Sequence, residues 1–221
     1  LSNFKIVGYP ILFDTFRNYI LENAGRYVAK ELGLRRVPKK SDCITLFINK
    51  YWGKWAGKND DWAKDSFRKV VECIRRLKPG AWILVRPHPV LRGERLSAFT
   101  DDLSASKIVF TDLHPSVLAA VSSCVIGIAQ STSFLHVMGY GTPYIEYGEL
   151  TEEQYKIFPE GSLFAEYGTV VVKNSEELCS VLPRVEQEKT GVDYCMAKID
   201  HRTDLFVFTD YWKFPANCGR G

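Results

Sequence analysis

Short, continuous apolar runs alternate along this chain with longer segments whose apolar residues recur every three or four positions. Ile44–Asn49, Trp82–Arg86, Lys107–Thr111, Cys124–Ala129, Pro143–Tyr147 and Thr169–Lys173 read as strands. The segments between them read as helices. One starts at Asp60 or Asp61 as its cap and runs to about Leu77, with Ala63, Phe67, Val70, Val71 and Ile74 on one face. Others cover the region around Glu94–Leu103, His114–Ser122 with Asp112 as its candidate cap, Phe134–Gly139, and a stretch capped by Asn174 that runs to about Leu182. Strands without polar alternation must be covered on both faces, and strand–helix–strand repeats join parallel neighbours. The expected fold is therefore α/β: a Rossmann-like parallel sheet with helices on both faces and right-handed crossovers.

This pattern defines a Rossmann-like domain over residues 41–186. Residues 1–40 hold a strand at Phe4–Tyr9, a helix at Asp14–Leu32 and a basic connector, Leu34–Asp42. They are expected to be the end of a preceding domain and its connector. The start at Leu1, without Met or a signal-peptide pattern, fits a fragment. Residues 187–221 end in Phe206, Phe208, Tyr211, Trp212 and Phe214, expected to pack back as a helical, aromatic tail.

Composition narrows the function classes. Hydrophobic residues make up 46% of the 221, enough for a buried core. A net charge of +3 does not argue for nucleic acid or a membrane surface as partner. No apolar run reaches the ~18 residues of a spanning helix. Cys43, Cys73, Cys124, Cys179, Cys195 and Cys218 show no CxxC spacing. They read as free, mostly buried thiols of a reducing compartment. No metal cluster and no cofactor motif is visible, neither GxGxxG nor GxxxxGK[ST].

The chemistry concentrates at two strand ends. Val85-Arg86-Pro87-His88-Pro89 follows one apolar run, and Gln130-Ser131-Thr132-Ser133-Phe134-Leu135-His136 follows another and enters a helix. In a parallel sheet the carboxyl ends of the strands form the ligand edge. Pro87 and Pro89 stiffen the backbone around His88, whose imidazole can donate to a phosphate. Ser131, Thr132 and Ser133 offer hydroxyls and backbone N–H groups to an anion, although Ser and Thr also serve as ordinary helix caps. Glu146, near another strand end, could accept from ribose hydroxyls or simply be a solvated carboxylate. Lys50 and Lys54, interleaved with Trp52 and Trp55, form a possible donor or acceptor loop, or a solvated one. His136 reads as structural; His114 and His201 carry no usable signal.

With these residues the chain resembles the C-terminal, nucleotide-binding half of a GT-B glycosyltransferase. It looks most like the bacterial capsule and lipopolysaccharide enzymes that use CMP-sugars, the sialyl- and Kdo-transferase type. Their HP motif corresponds to His88-Pro89, and their S-S/T motif to Ser131-Thr132 with Ser133 adjacent. A similar strand-end pattern occurs in CDP-glycerol glycerophosphotransferases. The resemblance implies a CMP-sugar donor, a glycan acceptor and no metal. It also implies a cytoplasmic setting, peripheral to the inner membrane face. The general base of that family lies in a D/E-D/E-G motif of the N-terminal half. Here Asp60-Asp61 precedes Trp62 and Asp101-Asp102 precedes Leu103. The resemblance thus implies a catalytic base outside this chain and a donor-binding half inactive alone. A UDP-sugar 2-epimerase and a non-catalytic nucleotide- or glycan-binding module are the alternatives.

Overall fold

The computed structural model describes residues 14–49, 60–89, 107–128, 131, 133–148, 152–157, 159–162, 165 and 169–188. The strand expected at Phe4–Tyr9, the helix expected around Glu94–Leu103 and the tail beyond residue 188 lie outside these residues.

The elements follow the alternation. Helix α1 (Asp14–Glu31) and a 3-10 turn (Lys40–Asp42) lead into β1 (Cys43–Ile48). Then come α2 (Asp60–Leu77), β2 (Trp82–Pro87), β3 (Ile108–Phe110), α3 (Pro115–Val121) and β4 (Cys124–Ile128). The chain continues through α4 (Phe134–Met138), β5 (Tyr144–Tyr147), α5 (Glu152–Ile157), β6 (Val170–Val172) and α6 (Ser175–Glu188). The strands form one sheet in the order β3-β2-β1-β4-β5-β6, and every neighbouring pair is parallel. The α/β, Rossmann-like fold expected from the sequence is the fold observed.

The sheet is buried on both sides because its strands carry apolar residues in both directions. Ile44, Leu46 and Ile48 of β1 meet Phe67, Val70 and Ile74 of α2 and Leu178, Leu182 and Val185 of α6. On the opposite face, Phe47, Leu84, Val125 and Tyr144 pack with Ile20, Ala24 and Val28 of α1, Val117 and Leu118 of α3, and Phe134 and Val137 of α4. Each fully buried side chain of this size contributes about 1.5–3 kcal/mol against exposure. Helix α1, from the segment expected as a preceding domain's end and connector, thus covers one sheet face.

Several local expectations are corrected. Asp112 is not the cap of α3: the helix starts at Pro115, so its cap is His114, whose Nδ1 accepts from the Ser116 N–H at 3.3 Å. Pro at the first helical position lacks only an N–H that would have no helical partner. Helix α6 continues past Leu182 to Glu188 with Pro183 inside it. Leu182 and Val185 are both buried, so packing outweighs the hydrogen bond that Pro183 cannot donate. Helix α5 was not legible, since Glu-Glu-Gln-Tyr-Lys-Ile shows no apolar repeat. Finally, Cys73 and Cys179 are not free thiols. They form a disulfide that ties α2 to α6, with Cα atoms 5.7 Å apart. Cys43 and Cys124 are free and buried.

Candidate functional site

Chain connectivity reverses at β1. From it the chain moves outward through β2 to β3, then returns to β4 on its other side. In open parallel sheets, ligands enter the crevice at the carboxyl end of such a switch point. The backbone ladders extend one residue beyond the strands there. The His88 N–H donates to the Ile48 carbonyl at 2.8 Å, and the Asn49 N–H to the Ile128 carbonyl at 3.4 Å. His88 therefore flanks the end of β1 on one side, and Ile128, the last residue of β4, flanks it on the other. Ser131 and Ser133 follow β4 in the chain.

The Ser131 hydroxyl accepts from the Ser133 N–H at 3.2 Å, and its carbonyl accepts from Phe134 N–H at 3.0 Å. Ser133 occupies the cap position of α4 in helical geometry, yet its hydroxyl makes no capping bond. The ordinary reading of this serine as a side-chain cap does not hold, because a residue with φ −60° and ψ −18° is already turned into the helix. Both serines are half-buried, as is His88, while Pro87 is buried and Pro89 exposed. Thr132, Lys50 and Lys54 lie outside the described residues.

Glu146 sits apart from the solvated setting in which a carboxylate is cheapest. It is 3% exposed and stands beside Gly127 of β4 and Val171 of β6. The Ser162 hydroxyl donates to its Oε2 at 2.6 Å. Burial pushes its carboxyl up to about 7, against the lowering effect of that hydrogen bond. The carboxyl can thus hold or release a proton near neutrality while it fastens residues 159–162 to β5.

A second polar group was missed in the sequence. Arg86, His114 and His136 come from β2, the turn before α3, and α4, and they meet around Ser116. The only local hint was the proximity of Arg86 and His136 to the two motifs; their meeting with His114 depends on how α3 and α4 pack. Among the described residues, no group of His, Cys, Asp or Glu is arranged to hold a metal ion, and no helix is long and apolar enough to cross a membrane.

No family model matches the chain, and no curated protein matches it. Solved structures do. The wall teichoic acid polymerase TagF, in a structure with CDPG, is similar at a TM-score of 0.52 and 16% identity, over 86% of this chain and 44% of that one. TarM is similar at a TM-score of 0.52 and 10% identity, over 95% of this chain and 47% of that one. At such identities the likeness is one of fold: the parallel, Rossmann-like sheet found in GT-B glycosyltransferases. The chain spans less than half the length of either structure.

Proposed function

We propose that this chain is the donor-binding domain of a glycosyltransferase of surface-polysaccharide synthesis, with a CMP-sugar as donor. The observation that carries this reading is the end of β1 at the switch point, with His88 beside it on one side and the end of β4, the strand that precedes Ser131 and Ser133 in the chain, on the other. That arrangement suits one phosphate held from two directions at a switch point. In transfer from a CMP-sugar, the bond between the anomeric carbon and the phosphate oxygen breaks, and negative charge grows on the departing CMP. The His88 ring N–H and the hydroxyls of Ser131, Thr132 and Ser133 would meet that charge, where preorganised donors are most effective. Glu146 would accept from the ribose hydroxyls. Lys50 and Lys54 would belong to a loop over the donor or acceptor. The proton of the glycan acceptor would go to a carboxylate of a preceding domain, at the inner membrane face of the cytoplasm.

A second reading has its own support. The TagF structure, similar in fold, contains CDPG by its description. A CDP-glycerol donor would leave CMP through the same phosphate contacts. The test is calorimetry of the chain with CMP, a CMP-sugar, CDP-glycerol and UDP. Binding of CMP and a CMP-sugar, with no binding of UDP, supports the first reading. Preference for CDP-glycerol over any CMP-sugar supports the second. Equal, weak binding of all four removes the nucleotide site.

A further inference from the structure

The +3 net charge of the whole chain conceals an uneven distribution. Because β3, β2 and β1 are parallel neighbours, the residues that precede them stand side by side at the amino ends of the strands. Before β1 runs a connector with Arg35, Arg36 and Lys39. Before β2 comes the end of α2 with Arg76, and before β3 stands Lys107. Hydrogen bonds hold these turns together. The Lys78 Nζ donates to the Ser41 carbonyl at 3.2 Å, and the Lys107 Nζ to the Gly80 carbonyl at 2.8 Å. Neighbouring strands lie about 4.8 Å apart, so the three starts span roughly 10 Å, about one Debye length at 0.1 M salt.

The charge of this edge is poorly compensated. Arg35, Arg36, Lys39 and Arg76 are exposed, and none makes an ion pair with a described residue. Lys107 is exposed too, and the partner of its ammonium is a neutral carbonyl. The carboxylates nearby are Glu31 and Asp42, both exposed, and Glu186, which the Lys78 ammonium meets at 2.6 Å. Two apolar side chains stand among the cations. Val37, 54% exposed, follows Arg36, and Leu77, 37% exposed, follows Arg76. Singly, an exposed Val or Leu is ordinary. Interleaved with unpaired cations on one edge, they match the make-up of a surface that meets lipid. Anionic headgroups take the cations, and the layer beneath them takes the apolar side chains. A nucleic acid also offers phosphates, but its bases stack on aromatic rings, and the apolar residues that follow Arg36 and Arg76 are aliphatic.

We propose that the edge built from the turns before β1, β2 and β3 docks on an anionic phospholipid bilayer, with Arg35, Arg36, Lys39, Arg76 and Lys107 against headgroup phosphates and Val37 and Leu77 in the layer beneath. The inference does not depend on the nucleotide reading, because His88 stands at the opposite ends of the same strands. Docking by this edge turns the carboxyl ends of the strands, and the crevice there, away from the lipid.

The test is co-sedimentation of the full chain with vesicles of phosphatidylcholine alone or mixed with phosphatidylglycerol. Expected is binding to the mixed vesicles only, lost at about 1 M salt, where the Debye length falls to about 3 Å. Arg35→Gln, Arg36→Gln and Lys39→Gln together should weaken binding roughly a hundredfold, at about fivefold per cation near an anionic surface. Removal of the same charge elsewhere, by Lys64→Gln, Arg68→Gln and Lys156→Gln on α2 and α5, should change it far less. Val37→Ser with Leu77→Ser should weaken binding and leave its salt dependence in place. The proposal is overturned by the absence of binding to mixed vesicles, by equal binding to both kinds, or by equal losses in the two charge variants. Capture by soluble polyphosphate without vesicle binding also overturns it, and assigns the edge to a soluble polyanion.

Discussion

The ring of Tyr144, on β5, lies across Gly127 of β4, filling the place where a side chain at residue 127 would stand. A Cβ there would lie 2.8 Å from Tyr144 Cζ and closer still to its hydroxyl. Tyr144 packs edge-on against Phe134, centroids 5.2 Å apart, and Phe134 is the first residue of α4, directly after Ser133. Gly127 thus sets the seat of the helix that carries the hydroxyl segment.

Gly127→Ala should therefore cost about 1–3 kcal/mol of stability through overpacking. It should also displace Tyr144 and Phe134 and weaken nucleotide binding without touching a ligand-facing side chain. Denaturant unfolding with calorimetry on the same sample checks both. Tyr144→Phe is the contrasting change. The Tyr144 hydroxyl is buried without a partner, so its removal should be neutral or stabilising.

His88→Ala should lose about 1.5–3 kcal/mol of CMP affinity if its ring N–H meets phosphate. Ser131→Ala should lose less affinity and some stability, because this hydroxyl also accepts from Ser133 N–H. Calorimetry that leaves CMP affinity unchanged in His88→Ala would remove His88 from the site.

Glu146 should make stability depend on pH. Its carboxyl is raised from the ordinary 4.5 to about 7 by burial. Between those values the folded chain holds a proton that the unfolded chain has released. Stability should thus fall as pH rises from 4.5 towards 7, by about 3 kcal/mol at most, and level off above. Glu146→Gln should flatten this slope. Ser162→Ala, which removes the donor to the carboxylate, should extend the slope to higher pH. Urea midpoints measured across this range provide the check, and an identical slope in wild type and Glu146→Gln would exclude Glu146 as its source.

The cysteines should divide by environment. Cys43 is buried and pushed up to about 12, and Cys124 is raised further, in both cases mainly by burial. Neither should react with iodoacetamide in the native chain at neutral pH. Cys73 and Cys179, bonded across 106 residues of sequence, should become alkylatable only after reduction. Reduction should lower stability by about 2–4 kcal/mol. Mass spectrometry of alkylated protein before and after reduction measures this directly.

Much of the architecture was legible because it is periodic. Runs such as Cys43–Ile48 and Cys124–Ile128 lack polar alternation and are buried at every position, as in a doubly covered strand. Their alternation with helices forced parallel pairing. The two motifs fell at strand ends, so one shared edge could be anticipated for His88 and Ser131. What the sequence could not hold was which distant residues face each other. Glu146 reads as an ordinary carboxylate until the register sets it beside Gly127 and the chain brings Ser162 to it. His114 carried no signal, because its partners Ser116 and His136 depend on the helix boundary at Pro115 and on α3 packing against α4. Cys73 and Cys179 were separate apolar positions until α2 and α6 lay side by side on one face. Periodicity is written in neighbouring residues and survives in one dimension. Charge, protonation and cross-links depend on through-space distances, and those exist only once the sheet has closed its register.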